Sequence, residues 1–190
     1  MAKYISKGMV IRESTEDLLY VTRCGHDFQL TKAQAALWLN ARFGFDTVNE
    51  EDPIARVAFQ QLRRQELVEL AENKTRVGEY RALTQCVVVP AQVRGFMAPL
   101  NMRERQTLKW ISRAGLRLST AELVFLNENK VRPDNSLLGY ENRQTLTELL
   151  YTKETIFDNI LEARMEQAEA MAQTIKTLLA LLKKKRVILL

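Results

Sequence analysis

The 190-residue sequence predicts an α+β chain that is rich in helix. Its N-terminal part combines short strands with two helices. Its C-terminal part is helical and ends in one long helix. Three observations carry this expectation. Short β-branched and aromatic runs crowd into the first 30 residues. Cap residues recur just ahead of apolar residues spaced three and four apart. From residue 157 to 182, apolar side chains repeat at steps of four and three.

Residues 8–13 (GMVIRE) and 18–23 (LLYVTR) read as strands around the polar turn Ser14, Thr15, Glu16 and Asp17. Gly25 precedes a third run that ends at Leu30, so the three form a small meander. Thr31 and Gln34 have the spacing of a capping box: the hydroxyl accepts an orphan amide and the Gln side chain reaches back. Behind them Ala35, Leu37, Trp38, Leu39 and Ala41 carry a helix to about Arg42, and Gly44 stops it. Asp52 followed by Pro53 opens the next helix, since proline at the first helical position lacks only an amide that has no partner. Ile54, Val57, Ala58 and Leu62 are expected on its buried face. Arg56, Gln60, Arg63 and Arg64 fall away from that face. Leu67, Val68 and Leu70 continue as a strand, residues 73–78 as a turn and residues 79–89 as the strand that closes a polar hairpin.

Residues 90–101 hold two prolines and a glycine and mark a domain boundary. The expected organisation is a domain over 1–90, a helical domain over 91–152 and a long helix with a short apolar tail over 153–190. Asn101 with Glu104 repeats the capping-box pattern, opening a helix that Gly115 ends. Ser119 with Glu122 caps another, and residues 140–151 form a third. A second unit built like the first, or an all-helical domain, accounts for these residues. In the last helix Phe157, Leu161, Arg164, Ala168, Met171, Ile175, Leu178 and Leu182 form a seam in which seven of eight positions are apolar. Phe157, Leu161, Ala168, Met171, Ile175, Leu178 and Leu182 are the expected homodimer interface, with packing inside the chain as the rival. The tail from Val187 to Leu190 is too apolar to stay exposed, so it is expected to pack or pair.

Bulk properties exclude several classes. No apolar run approaches the ~20 residues that span a bilayer, and the N-terminus lacks the apolar core of a signal peptide. The expectation is a cytoplasmic protein with no membrane partner. Cys24 and Cys86 are far apart in strand-like sequence and fit reduced thiols better than a disulfide framework or a zinc site. His26 is the only histidine, in a turn with no companion ligands. No phosphate-binding glycine loop and no nucleophile motif occurs, so neither catalysis, cofactor nor metal is expected. The net charge of +5 is uneven: residues 1–90 hold 12 basic and 12 acidic side chains, and residues 91–190 carry the whole excess. Four of those charges sit together at Lys183, Lys184, Lys185 and Arg186, where they complement the negative end of the last helix.

The segments LTKAQAALWL and LRRQELVELAENKTRVGEYRALT resemble the winged-helix transcription regulators of the MarR, PadR and HxlR types. The likeness covers roughly residues 28–88. Leu62, Leu67 and Val68 stand at the step after the recognition helix, with Glu66 where a glycine is usual. Tyr80, Leu83 and Thr84 close the wing. The stretch FDTVNEED is too short and acidic for a normal second helix. The same segment is similar to small peptide-binding domains of the PqqD type, which carry a β-meander before the first helix.

The resemblance implies a DNA-binding transcriptional regulator acting as a homodimer on double-stranded DNA. Arg56, Gln60, Arg63 and Arg64 would meet base edges, and Lys74 and Arg76 would contact phosphates or the minor groove. Those arginines equally suit a solvated helix face, and Glu50, Glu51, Asp52, Glu66 and Glu69 would repel phosphate. Arg105, Lys109 and Arg113 form a second basic stripe at four-residue spacing, again readable as DNA contact or as a solvated face. The alternative function is a non-enzymatic protein-interaction or scaffold module on the same fold.

Overall fold

The computed structural model describes residues 2–11, 18–71, 76–91, 98–114, 122, 126 and 169–190. Helices and antiparallel sheets mix throughout them. The organising element is β1 (Ala2–Ser6), which the sequence reading did not anticipate. It is the middle strand of a three-stranded sheet, flanked by β5 (Asp46–Val48) and β6 (Val68–Ala71), both antiparallel to it. Successive side chains on a strand point to opposite faces. Tyr4 accordingly enters one apolar cluster with Val21, Trp38, Phe59 and Leu62. Ile5 enters a second, with Leu83, Ile111, Leu178 and Leu182.

The expected meander is present as a sheet of β2 (Met9–Val10), β3 (Leu19–Arg23) and β4 (His26–Leu30). Gly8 joins it to β1 at φ +110, and a Cβ there would stand 2.6 Å from Val21 Cγ1. Only glycine satisfies both the dihedral and that approach. Helix α1 (Lys32–Asn40) starts at the expected capping box of Thr31 and Gln34. Helix α2 (Pro53–Arg64) starts at the Asp52 cap, whose carboxylate accepts the Ile54 amide at 2.9 Å.

The hairpin expected after β6 is replaced by a helix, α3 (Arg76–Thr84). Residues 79–89 therefore do not form one strand, and no wing strand pairs with β6 among the described residues. The physical reason lies in Tyr80 and Leu83, both buried and three apart, which is one helical face. Glu79, Arg81, Ala82 and Leu83 are also good helix formers. Glu79 pairs with Lys3 of β1, which docks α3 beside the central strand.

The chain continues through β7 (Val88–Pro90) and α4 (Met102–Ala114). The Asn101–Glu104 capping box is formed as expected. The last described helix is α5 (Glu169–Lys183). It leads into β8 (Val187–Leu189), which pairs antiparallel with β7. The apolar tail thus pairs, as its composition demanded. Packing draws α3 and β7, both placed before residue 90 by the sequence reading, into the second cluster with α4 and α5.

The seam assignment needs correction at the positions that are described. Ile175, Leu178 and Leu182 are buried inside their own chain, among Leu83, Ile111, Val187 and Leu189. Pairing of β8 with β7 folds the helix end back against α4, so this stretch finds its cover within the molecule. Phe157, Leu161 and Ala168, and the side chain of Met171, lie outside the described residues.

Helices α2 and α5 end in the same way. Glu66 and Lys185 adopt the left-handed conformation at φ 55 and φ 56. Their amides bond back to Arg63 and Leu182, and the following amides to Leu62 and Leu181. This is the Schellman arrangement, here built without glycine at a cost of roughly 1–2 kcal/mol per residue. Each side chain then makes a contact that glycine could not. Glu66 accepts a hydrogen bond from Arg23 at 2.6 Å, and Lys185 lies 5.5 Å from the Phe43 ring centre.

The Lys184 ammonium donates to both oxygens of Glu104 at 2.7 Å and to the Pro99 carbonyl at 3.0 Å. The hydrogen bond from Lys184 holds the Glu104 carboxyl below the ordinary carboxylate range, although burial acts the other way. No described helix is long and apolar enough to cross a membrane.

Two outcomes follow from this packing. Leu182→Ala should destabilise the fold by about 2–5 kcal/mol, independently of protein concentration in denaturant melts. Concentration dependence would instead place Leu182 between copies. Glu104 has a folded pKa below its unfolded value of about 4.3. Its stabilisation is complete above that pH and is lost as pH falls through the folded value. The stability difference between the native chain and Glu104→Gln, measured from pH 7 to pH 3, should shrink below pH ~4.3. A constant difference would contradict the pairing.

Candidate functional site

Tyr4 sets the position of the first two helices. Its ring meets Phe59 of α2 edge-on at 4.9 Å, and its hydroxyl donates to the Leu37 carbonyl of α1 at 2.9 Å. Burial, and secondarily the charge of Asp46, push the phenol above its ordinary pKa, so it stays a donor. Ser6 and Trp38 tie α1 to the strand: the Ser6 hydroxyl donates to the Trp38 carbonyl at 2.8 Å, and the Trp38 indole donates to the Lys7 carbonyl at 2.9 Å.

Phe59 also fixes the rotation of α2. Its buried stripe is Ala58, Phe59 and Leu62. Ile54 and Val57, expected inside, are 71% and 52% exposed. Both faces have helical spacing, but Phe59 offers the larger apolar area and a ring partner in Tyr4. The helix therefore turns Phe59 inward, and the neighbouring stripe is left in solvent.

That stripe forms one wall of an apolar groove of about 420 Å³. Pro53, Ile54, Val57, Ala58 and Gln61 come from α2, and Thr31 and Ala33 from the start of α1. The two helices are bridged by the Gln34 amide, which donates to the groove-lining Gln61 at 3.1 Å. Gln34 is the same residue that completes the α1 capping box, so one side chain sets both the helix start and the groove spacing. Glu50, Glu51 and Asp52 are exposed at the N-terminal end of α2, beside the groove.

The expected DNA contacts divide three ways. Arg56, Gln60, Arg63 and Arg64 are exposed along α2, sharing that surface with Ile54 and Val57. Lys74 and the side chain of Arg76 lie outside the described residues, and Arg76 opens α3 instead of tipping a hairpin. Arg105, Lys109 and Arg113 are exposed together on α4. Other charges are engaged internally. Lys7 pairs with Glu69 at 2.6 Å, and Arg23 with Glu66, whose carboxyl that hydrogen bond holds below its ordinary range. Arg42 packs on Trp38 and Phe43, and burial lowers its pKa.

The thiols separate as well: Cys24 is exposed at a hairpin turn, and Cys86 is buried. Burial pushes the Cys86 thiol up to about 12, leaving it a neutral packing group. Among the described residues, no group of three His, Cys, Asp or Glu side chains is placed to hold a metal ion. Comparison with family models, with curated proteins and with solved structures found no match.

The rotation of α2 is open to direct measurement. Phe59→Ala should cost about 3–5 kcal/mol, whereas Ile54→Ser should change stability by no more than about 0.5 kcal/mol. Equal losses in chemical denaturation would mean that Ile54 is buried and the groove does not exist.

Proposed function

We propose that the chain is a protein-interaction module whose α1–α2 groove receives an apolar segment of a partner protein. The observation that carries this reading is the exposure of Ile54 and Val57, 71% and 52%, side by side on a groove wall. Covering an isoleucine or valine fully is worth about 1.5–3 kcal/mol, so a partner that fills the groove gains substantially from two such anchors. The acidic end of α2 supports the same reading. A helix entering a DNA groove would press Glu50, Glu51 and Asp52 toward phosphates, which repel them. The notion of a winged helix with a basic wing also loses its support where α3 stands in place of the second hairpin strand.

A second reading keeps the DNA-binding regulator, with α4 as the contact. It is favoured by Arg105, Lys109 and Arg113, exposed at four-residue spacing. Three phosphate contacts would give a salt slope of about −2.7 from those residues alone.

A photo-crosslinking amino acid at Val57, introduced in cells, discriminates the two. The docking reading predicts a discrete protein adduct that disappears when Ile54→Asp is added. Absence of any protein adduct, with duplex binding that weakens in salt and is lost in an Arg105→Ala, Lys109→Ala, Arg113→Ala variant, would replace it with the DNA reading.

A further inference from the structure

We infer that α4 and α5 together hold double-stranded DNA by its phosphate backbone, without reading its sequence. The inference rests on the α4 contact of the second reading above and extends it from three cations to six. It is independent of what fills the α1–α2 groove. Arg103, Arg105, Lys109 and Arg113 of α4 and Lys176 and Lys183 of α5 are all exposed. The two helices pack against each other, and the Arg103 guanidinium donates to the Gln173 side chain at 2.8 Å. Gln173 lies one turn from Lys176 on α5, so the two basic faces adjoin at this hydrogen bond.

The placement of the carboxylates makes this surface one-signed. From residue 76 onward the carboxylates with described side chains are Glu79, Glu104 and Glu122, and none of them is exposed. Glu79 pairs with Lys3 and Glu104 with Lys184, while Glu122 is half-buried and already engaged. Among the described residues no ion pair reaches the six cations. Arg103 and Arg105 have neutral acceptors, Gln173 and the Leu100 carbonyl, which orient the guanidinium groups and leave their charge in place. The α2 surface differs, because exposed Arg56, Arg63 and Arg64 share that helix region with exposed Glu50, Glu51 and Asp52. A field of one sign attracts a polyanion, whereas mixed charges offset one another and are screened beyond about 8–10 Å.

Spacing and the lack of apolar anchors select the polyanion. Arg105, Lys109 and Arg113 step about 6 Å along the helix and cover about 12 Å. A duplex carries one negative charge per about 1.7 Å of its axis, so several phosphates lie within reach of that stripe. Met102 is the one large apolar side chain exposed on α4, and α5 exposes none among its described residues. A helix lying on a membrane buries an apolar face in the lipid, but here the apolar faces of both helices belong to the core. Engaging both helices requires a surface about 20 Å wide, against a major groove of about 12 Å. The cations therefore bridge phosphates, and the base edges stay unread.

Fluorescence anisotropy of the full chain, with two labelled DNA duplexes of unrelated sequence and a series of salt concentrations, tests this. The two affinities should agree within about twofold, and six contacts should give a log–log salt slope of about −5. The α4 variant Arg105→Ala, Lys109→Ala, Arg113→Ala should flatten that slope by about 2.7, and the α5 variant Lys176→Ala, Lys183→Ala by about 1.8. Arg56→Ala with Arg64→Ala removes as much charge from α2 as the α5 variant removes from α5, and it should leave slope and affinity unchanged. All these positions are exposed, and circular dichroism melts confirm that each variant folds. A native chain that binds no duplex removes both this inference and the α4 reading beneath it. Binding that the α4 variant loses and the α5 variant keeps in full overturns the extension to α5 and leaves the α4 reading standing. An equal loss in the α2 variant overturns the proposal in favour of bulk charge, and a tenfold preference for one duplex overturns it in favour of base readout. Binding to phosphatidylserine vesicles without binding to duplex would assign the surface to a membrane and equally overturn it.

Discussion

The fold turns on Tyr4. It sits fully buried on the central strand, and it engages both neighbouring helices by different means. Its hydroxyl takes the Leu37 carbonyl, which places α1, and its ring takes the edge of Phe59, which sets the rotation of α2. A buried phenol needs a partner for its hydroxyl, and the Leu37 carbonyl, which also accepts the Ala41 amide at 3.3 Å, supplies one with its second lone pair. Everything at the groove follows. With α1 and α2 held by one residue, Gln34 meets Gln61, and the stripe of Ile54 and Val57 is left facing water. The exposed apolar wall is a consequence of core packing on the opposite side of the same helix.

The residue next to Tyr4 does comparable work on the other face. Ile5 reaches the cluster built from α3, α4, α5 and β8, so one short strand joins two cores. The backbone extends that link: the Gly8 amide donates to the Leu189 carbonyl at 2.7 Å, and the Lys7 amide to the Leu67 carbonyl at 2.8 Å. Charged side chains brace the same junction, with Lys3 on Glu79 and Lys7 on Glu69. Charges that look available for phosphate in a linear reading are partly consumed in this way. Lys184 is bound to Glu104, and Arg186 donates to the Ala98 carbonyl at 3.0 Å. What remains outward on the described second half is the stripe of α4 and scattered lysines on α5.

Local signals were legible in the sequence. Both capping boxes, the Asp52–Pro53 helix start, the β-meander and the need of the apolar tail for a partner were readable, because each depends on residues a few positions apart. The differences arise from distant partners in one case and from competing local cues in others. β1 went unread because AKYIS is short, and its role is set by β5 and β6, more than 40 residues away. Residues 79–89 read as a strand because a wing was expected there, although Tyr80 and Leu83 already had helical spacing. On α2 two apolar stripes share helical spacing, and the one that includes Phe59 is the buried one. Giving the largest apolar side chain on the helix precedence would have turned Ile54 and Val57 outward and exposed the candidate site. Ile175, Leu178 and Leu182, the described positions of the last helix's seam, are buried, but periodicity alone does not say whether the cover comes from within the chain or from another copy.

The central claim is that α2 turns Phe59 toward Tyr4 and Ile54 toward water. The most direct test is methyl NMR of an isoleucine-labelled chain with a soluble paramagnetic agent. The account predicts strong broadening of the Ile54 δ1 methyl and protection of the Ile5 and Ile111 methyls, which are fully buried. An Ile54 methyl as protected as those two would mean that α2 is rotated the other way and that the groove is absent.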